Sequence, residues 1–265
     1  MREAIKKTIL QVANIVIPIL LFAILFVLSI GEGDFTEVFE STGEKSLIDP
    51  IEFTFAIWGP IFIFIGIFLL YQARDLFKRA EDKIEMPYVE EISVFFILST
   101  IMAGLWYIFW IYKIIWLSTL SMIIYLISLV AGYIRLDINM KERSLGERIG
   151  VVVPWSMYTA WVTAATIVSI TTFFESIGFN QPPLLLSDTY WAILVLLITL
   201  IIYTVVLLTR NDYIYAGVGI WVLIGILFER LSSQVLVIEI IIVCILGIVI
   251  LAIGIIYQTM KKKRD

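Results

Sequence analysis

Residues 53–73 read FTFAIWGPIFIFIGIFLLYQA, a run bounded by Glu52 and Arg74 and free of ionised side chains between them. A helix needs about 20 mostly apolar residues to cross the hydrocarbon core of a bilayer, so this stretch alone specifies one spanning helix. Outward from it the same pattern recurs at 9–30, 92–112 and 114–135, and again at 151–173, 190–209, 213–229 and 234–258. The reading is an all-α membrane protein of about eight transmembrane helices. The first run follows Lys6 and Lys7 as a secretory signal would, but it is longer than a signal core and reads as a retained anchor.

The composition of the 265 residues agrees. Apolar side chains make up 61%, against about 45–50% in soluble domains, and the mean hydropathy is +1.00. The chain has no histidine, which removes the Ser-His-Asp triad, imidazole-ligated zinc and histidine-ligated haem. Its single thiol, Cys244, cannot form an intrachain disulfide or a metal cluster and reads as a small packing hydrophobe. A net charge of −4, with no loop interleaving basic and aromatic residues, gives no sign of a nucleic-acid partner. No phosphate loop occurs, and Gly217-x-Gly219 lies inside a span, without the strand-turn-helix context of a dinucleotide site. Lys113 lies between two spans, badly placed for a retinal Schiff base, and Glu239 lies near the outer end of the last helix, within reach of the interface. Nothing in the sequence identifies a catalytic group.

Orientation follows from Lys and Arg, which stay on the cytoplasmic side. Counting alternate segments, sixteen of the nineteen fall on one side, and only Lys45, Lys113 and Arg230 on the other. This split requires an even number of spans with both termini cytoplasmic, in a multi-pass protein of the cell membrane. The segment from Gly31 to Glu52 then forms an acidic outer cap, read either as a solvated loop or as a cation-attracting mouth. Pro182 and Pro183 argue against one helix running through both spans that flank them.

Eight tryptophans remain to be placed. Trp110, Trp116, Trp191 and Trp155 fall at helix ends, where an indole is expected to anchor at the interface. Trp58 and Trp106 lie roughly 8 Å below the boundary, and Trp161 and Trp221 nearer the midplane. Lipid tails cannot satisfy a deep indole N–H, so these rings are expected to face protein, water or a ligand. The fourth helix carries Ser118, Ser121, Tyr125, Ser128 and Gly132 on one stripe. The fifth carries Ser156, Thr159, Thr163 and Thr166 opposite Tyr158 and Trp161. Close packing through small residues accounts for such stripes, and so does a cavity lining; periodicity does not choose between the two faces.

The clusters Phe55, Trp58, Gly59, Pro60, Phe62 and Gly66; Trp106, Tyr107, Phe109 and Trp110; and Pro154, Trp155, Tyr158 with Trp161 to Thr166 resemble, in their order, the TspO/MBR family of translocator or tryptophan-rich sensory proteins. The resemblance covers about Ile9 to Phe174. Where the family has asparagines, this chain has Ala103 and Ser169, and a lysine and multiple-proline signature is reduced to Asp49 and Pro50.

The resemblance implies a TspO-like five-helix bundle over residues 1–174 and a three-helix C-terminal extension over 175–265. It also implies a receptor or sensor whose cavity binds a porphyrin, another tetrapyrrole, a sterol or a lipid. The residues it assigns to ligand binding are Trp58, Phe62, Trp106, Trp110, Tyr158 and Trp161. No cofactor is required on this reading, and a porphyrin would be held non-covalently by stacking, without an axial imidazole. Partners would be membrane lipids and the hydrophobic ligand, with a homodimer or a second membrane protein left open. The hydroxyl stripes and extra helices leave two other functions standing: a transporter of a lipophilic small molecule, and a noncatalytic membrane scaffold.

Overall fold

The computed structural model describes residues 2–29, 46–179, 186–234 and 236–262. Most of the acidic cap, together with Pro182 and Pro183, lies outside the described residues. Every regular element among the described residues is helical. Eight long helices follow in order: α1 (Arg2–Ser29), α2 (Trp58–Ala73), α3 (Pro87–Ile111), α4 (Ile115–Arg135), α5 (Val153–Ser176), α6 (Asp188–Arg210), α7 (Tyr213–Ser232) and α8 (Ile238–Lys262). Seven of these helices, and α2 taken together with the turn from Glu52 that leads into it, are long and apolar enough to cross a membrane.

The helices outrun the apolar runs most clearly at the starts of α1 and α3. Hydropathy reports where hydrocarbon ends, and a helix continues into the headgroups until its sequence stops it. At α3 the stop is Pro87, whose missing N–H costs nothing in a first turn. Two irregular leads were not legible: a 3₁₀ turn over Glu52–Ile57 ahead of α2, and a π-helical turn over Arg148–Val152 ahead of α5.

The chain divides into two compact units, Met1–Glu40 with Gly59–Thr159, and Ser41–Trp58 with Ala160–Asp265. In the first, α1 packs on α3 and α3 along α4. Leu21 of α1 sits where residue 104 would carry a Cβ, so Gly104 lets the helices close. The α4 stripe of Ser118, Ser121, Tyr125, Ser128 and Gly132 is buried.

Trp155 departs from the interfacial position expected of it. It is buried among Phe68 and Phe96, with ring centroids 6.4 and 6.3 Å away, and its benzene edge enters the slot that Gly132 leaves open. Glycine at that position makes room for an indole inside the unit, which burial favours over the interface. In α5 the hydroxyl face and the Tyr158/Trp161 face are both buried, so neither is turned to lipid.

In the second unit α6, α7 and α8 pack mutually. Asn211 ends α6 in the left-handed conformation (φ 51°), and Asp212 caps α7 by accepting from the Tyr215 N–H at 3.0 Å, which makes the turn tight. Cys244 is a free, buried thiol, as its packing role requires.

Candidate functional site

The second unit brings three aromatic rings together. In a 3₁₀ turn, side chains at i and i+3 eclipse, which sets Phe55 and Trp58, at the end of the Glu52–Ile57 turn, one above the other. Both meet Trp161 of α5. Centroids lie 5.8 Å from Phe55 and 6.1 Å from Trp58, with planes crossing at 90° and 82°. Trp161 is only 3% exposed, and its indole N–H has no hydrogen-bond partner among the described residues.

Helix α7 holds the turn in place. The Trp221 indole N–H donates to the Thr54 carbonyl at 2.8 Å, and the Ile51 N–H donates to the Gly225 carbonyl at 3.1 Å. Phe53 makes edge contacts with Trp221 and Phe228, 5.5 and 5.8 Å away. Trp221, Gly225 and Phe228 are spaced by four and three and so share a helix face, with the glycine leaving space for the Thr54 side chain. A segment preceding α2 therefore docks on a helix near the C-terminal end of the chain. No local sequence signal announces that pairing.

The other residues singled out from the sequence lie in the first unit. Trp106 and Trp110, one turn apart on α3, stack with centroids 6.5 Å apart and are half-buried. The Ser118 hydroxyl donates to the Trp106 carbonyl at 3.3 Å, joining α4 to this part of α3. Tyr158 is buried and shares a hydroxyl hydrogen bond with Tyr125. Phe62 is 52% exposed, on the outer surface of α2. Trp58 and Trp161 thus come together, as do Trp106 and Trp110. Among the described residues no group of three or more His, Cys, Asp or Glu side chains could hold a metal ion.

A second polar feature was passed over in the sequence. Lys7, Gln11 and Asn14 recur at steps of four and three on α1, and all three are buried against the end of α2 and the residues after it. Lys7 Nζ lies 2.6 Å from Asp75 Oδ2, and Gln11 Nε2 donates to Asp75 Oδ1 at 2.8 Å. The Ile84 N–H donates to Asp75 Oδ2 at 2.9 Å. Burial alone would push the Asp75 carboxyl up, but Lys7, Gln11 and the Ile84 N–H outweigh it and hold it below the ordinary carboxylate value. The signal was present in the stripe, but Asp75 lies beyond the apolar run of α2, where a search for charge inside the spans does not look.

No curated protein and no solved structure matches this chain. The sequence model of TSPO-like proteins matches residues 8–257, and so runs through all eight helices, including the three that follow Phe174. That match covers well over half of the chain, and the chain belongs to the TSPO-like protein family.

Proposed function

We propose that this membrane protein is a receptor for a flat, hydrophobic, aromatic ligand, with a porphyrin or other tetrapyrrole as the leading class, bound at Phe55, Trp58 and Trp161. The observation that carries the reading is the Trp161 indole, buried with an unused N–H and met by two rings nearly perpendicular to it. Perpendicular aromatic planes form a corner, which suits a planar guest that stacks on one ring and meets the edge of another. The indole N–H would donate to an acceptor on the guest, the polar contact that fixes orientation in an otherwise apolar site. With no histidine in the chain, a porphyrin would be held through its faces and periphery. Trp106, Trp110, Tyr158 and Phe62, which lie in the first unit, are proposed for ligand binding on the family resemblance alone.

The reading also has both termini on the cytoplasmic side of the cell membrane, supported by the sixteen basic residues on that side. Reporter fusions at each end that are active only outside the cell would overturn it if they gave signal.

The ligand test is a titration of purified protein with protoporphyrin IX, following tryptophan emission corrected for inner-filter loss. Saturable quenching is expected, with Kd weakened roughly tenfold in W161F and in W58A, equivalent to about 1.4 kcal/mol each. Absence of saturable quenching in the unsubstituted protein, or unchanged Kd in both variants, rejects the proposal.

A further inference from the structure

Three carboxamides, Gln11, Asn14 and Gln72, meet in the seam between α1 and the end of α2, and all are fully buried. Gln11 Nε2 donates to the Gln72 carbonyl as well as to Asp75, and Asn14 Nδ2 donates to Gln72 Oε1 at 3.1 Å. What remains is Gln11 Oε1, Asn14 Oδ1 and Gln72 Nε2, buried and without a partner among the described residues. Exchanging oxygen and nitrogen in both Asn14 and Gln72 keeps their mutual bond and again leaves one acceptor and one donor over. The surplus is therefore independent of how the amides are turned.

Pro18 adds another acceptor. It lies inside α1 and has no N–H, so the Asn14 carbonyl lacks the donor that residue i+4 supplies elsewhere in a helix. Hydrocarbon offers nothing to any of these groups, and a proline-freed carbonyl in a spanning helix is re-satisfied by neighbouring polar groups or ordered water.

We propose that this seam is a hydrated inlet that binds water, entered at the Lys7–Asp75 pair and ending at Asn14 and Pro18. The surplus of several acceptors and one donor matches a molecule with two O–H groups and free lone pairs. A cation is disfavoured because the ammonium of Lys7 already neutralises Asp75 and Gln72 presents a donor. An apolar guest would leave every amide unpaired. The route of entry is graded: Lys6 is exposed, Lys7 nearly covered, and Gln11 and Asn14 fully covered. From Lys7 to Asn14 the helix rises about 10 Å, so water in the seam carries aqueous access well into the span.

The test uses the full chain in phosphatidylcholine vesicles. In a C244A background, N14C is expected to react with a methanethiosulfonate reagent at least tenfold faster than V12C and V16C, which lie two residues to either side of it on the exposed face of α1. Equal or slower reaction of N14C overturns the proposal, and Q11C takes its place against the same controls if N14C does not fold. In the unsubstituted protein, water-edited solid-state NMR is expected to transfer polarisation to the Asn14 and Gln72 side-chain amides faster than to Val12 and Val16. Build-up no faster than at the two valines overturns the proposal without any substitution.

Discussion

The indole of Trp155 occupies the place where residue 132 would carry its Cβ, so Gly132 and Trp155 form one interlocking contact between α4 and α5. The ring is fixed on its other sides by Phe68 and Phe96 and has nowhere to retreat. G132A is expected to cost about 1–3 kcal/mol, the usual range for overpacking a filled interior. Thermal unfolding in detergent measures it. W155F removes part of the ring that collides, so the double variant should be less destabilised than the sum of the two single ones. Strict additivity would show that the two residues do not share one space.

Breaking the Lys7–Asp75 pair strands a charge. Both side chains are nearly covered, and K7M would leave the carboxylate without its counter-charge, with only Gln11 and the Ile84 N–H still donating to it. Losing one partner of a buried pair costs about 3–5 kcal/mol, so K7M should fall markedly below the parent in melting temperature.

Acid should act on the same pair, in a direction fixed by linkage. Asp75 titrates lower when folded than its ordinary value of 3.8, so its contribution is fully present above that value and is lost as the pH falls through the lowered one. Melting temperature should be level with respect to this group above about pH 5 and should drop below about pH 4. D75N should start lower and lose that acid-sensitive portion. An identical acid profile in D75N would remove Asp75 as its source.

The eight spans were legible because each needs only length and apolar content, which are local properties. The 53–73 run showed a spanning helix without reference to any other residue. Trp155 was misplaced because its position at a helix end said interface, while the glycine that buries it stands on another helix, twenty-three positions earlier in the chain. The tryptophans and aromatics of the candidate site could be named, but not grouped. Trp58 meets Trp161 because Phe53 and Thr54 dock on α7, a long-range pairing that periodicity does not encode. The Lys7 stripe had the opposite history, being visible as a period but lacking its partner, since Asp75 sits past the end of an apolar run.

Gly225 tests the support of the aromatic corner. The Thr54 side chain fills the space beside it, and the Gly225 carbonyl accepts from Ile51. G225A must push the Glu52–Ile57 turn away from α7, stretching the bond from Trp221 to Thr54. A loss of about 1–3 kcal/mol is expected, with altered tryptophan emission from Trp221. T54A in the same chain removes two of the three colliding atoms and should recover part of the loss. If G225A melts with the parent, the turn is not seated on α7 as described.

Tyr203 separates packing from hydrogen bonding within the second unit. Its hydroxyl donates to the Ala160 carbonyl at 2.7 Å, while its ring fills the slot at Gly219. Y203F keeps the ring and loses one bond to a carbonyl, a change worth about 0.5–1.5 kcal/mol. G219A keeps the bond's two partners but drives a Cβ into a ring held at its far end by that bond, so the ring cannot slide aside without breaking it. G219A should therefore cost more than Y203F. In the G219A/Y203F double variant the ring is free to shift, and its loss should be smaller than the sum of the two. Chemical denaturation of the four proteins in one detergent measures all three differences, and a Y203F loss equal to or larger than that of G219A would mean that the bond to α5, not the slot on α7, holds the Tyr203 ring in place.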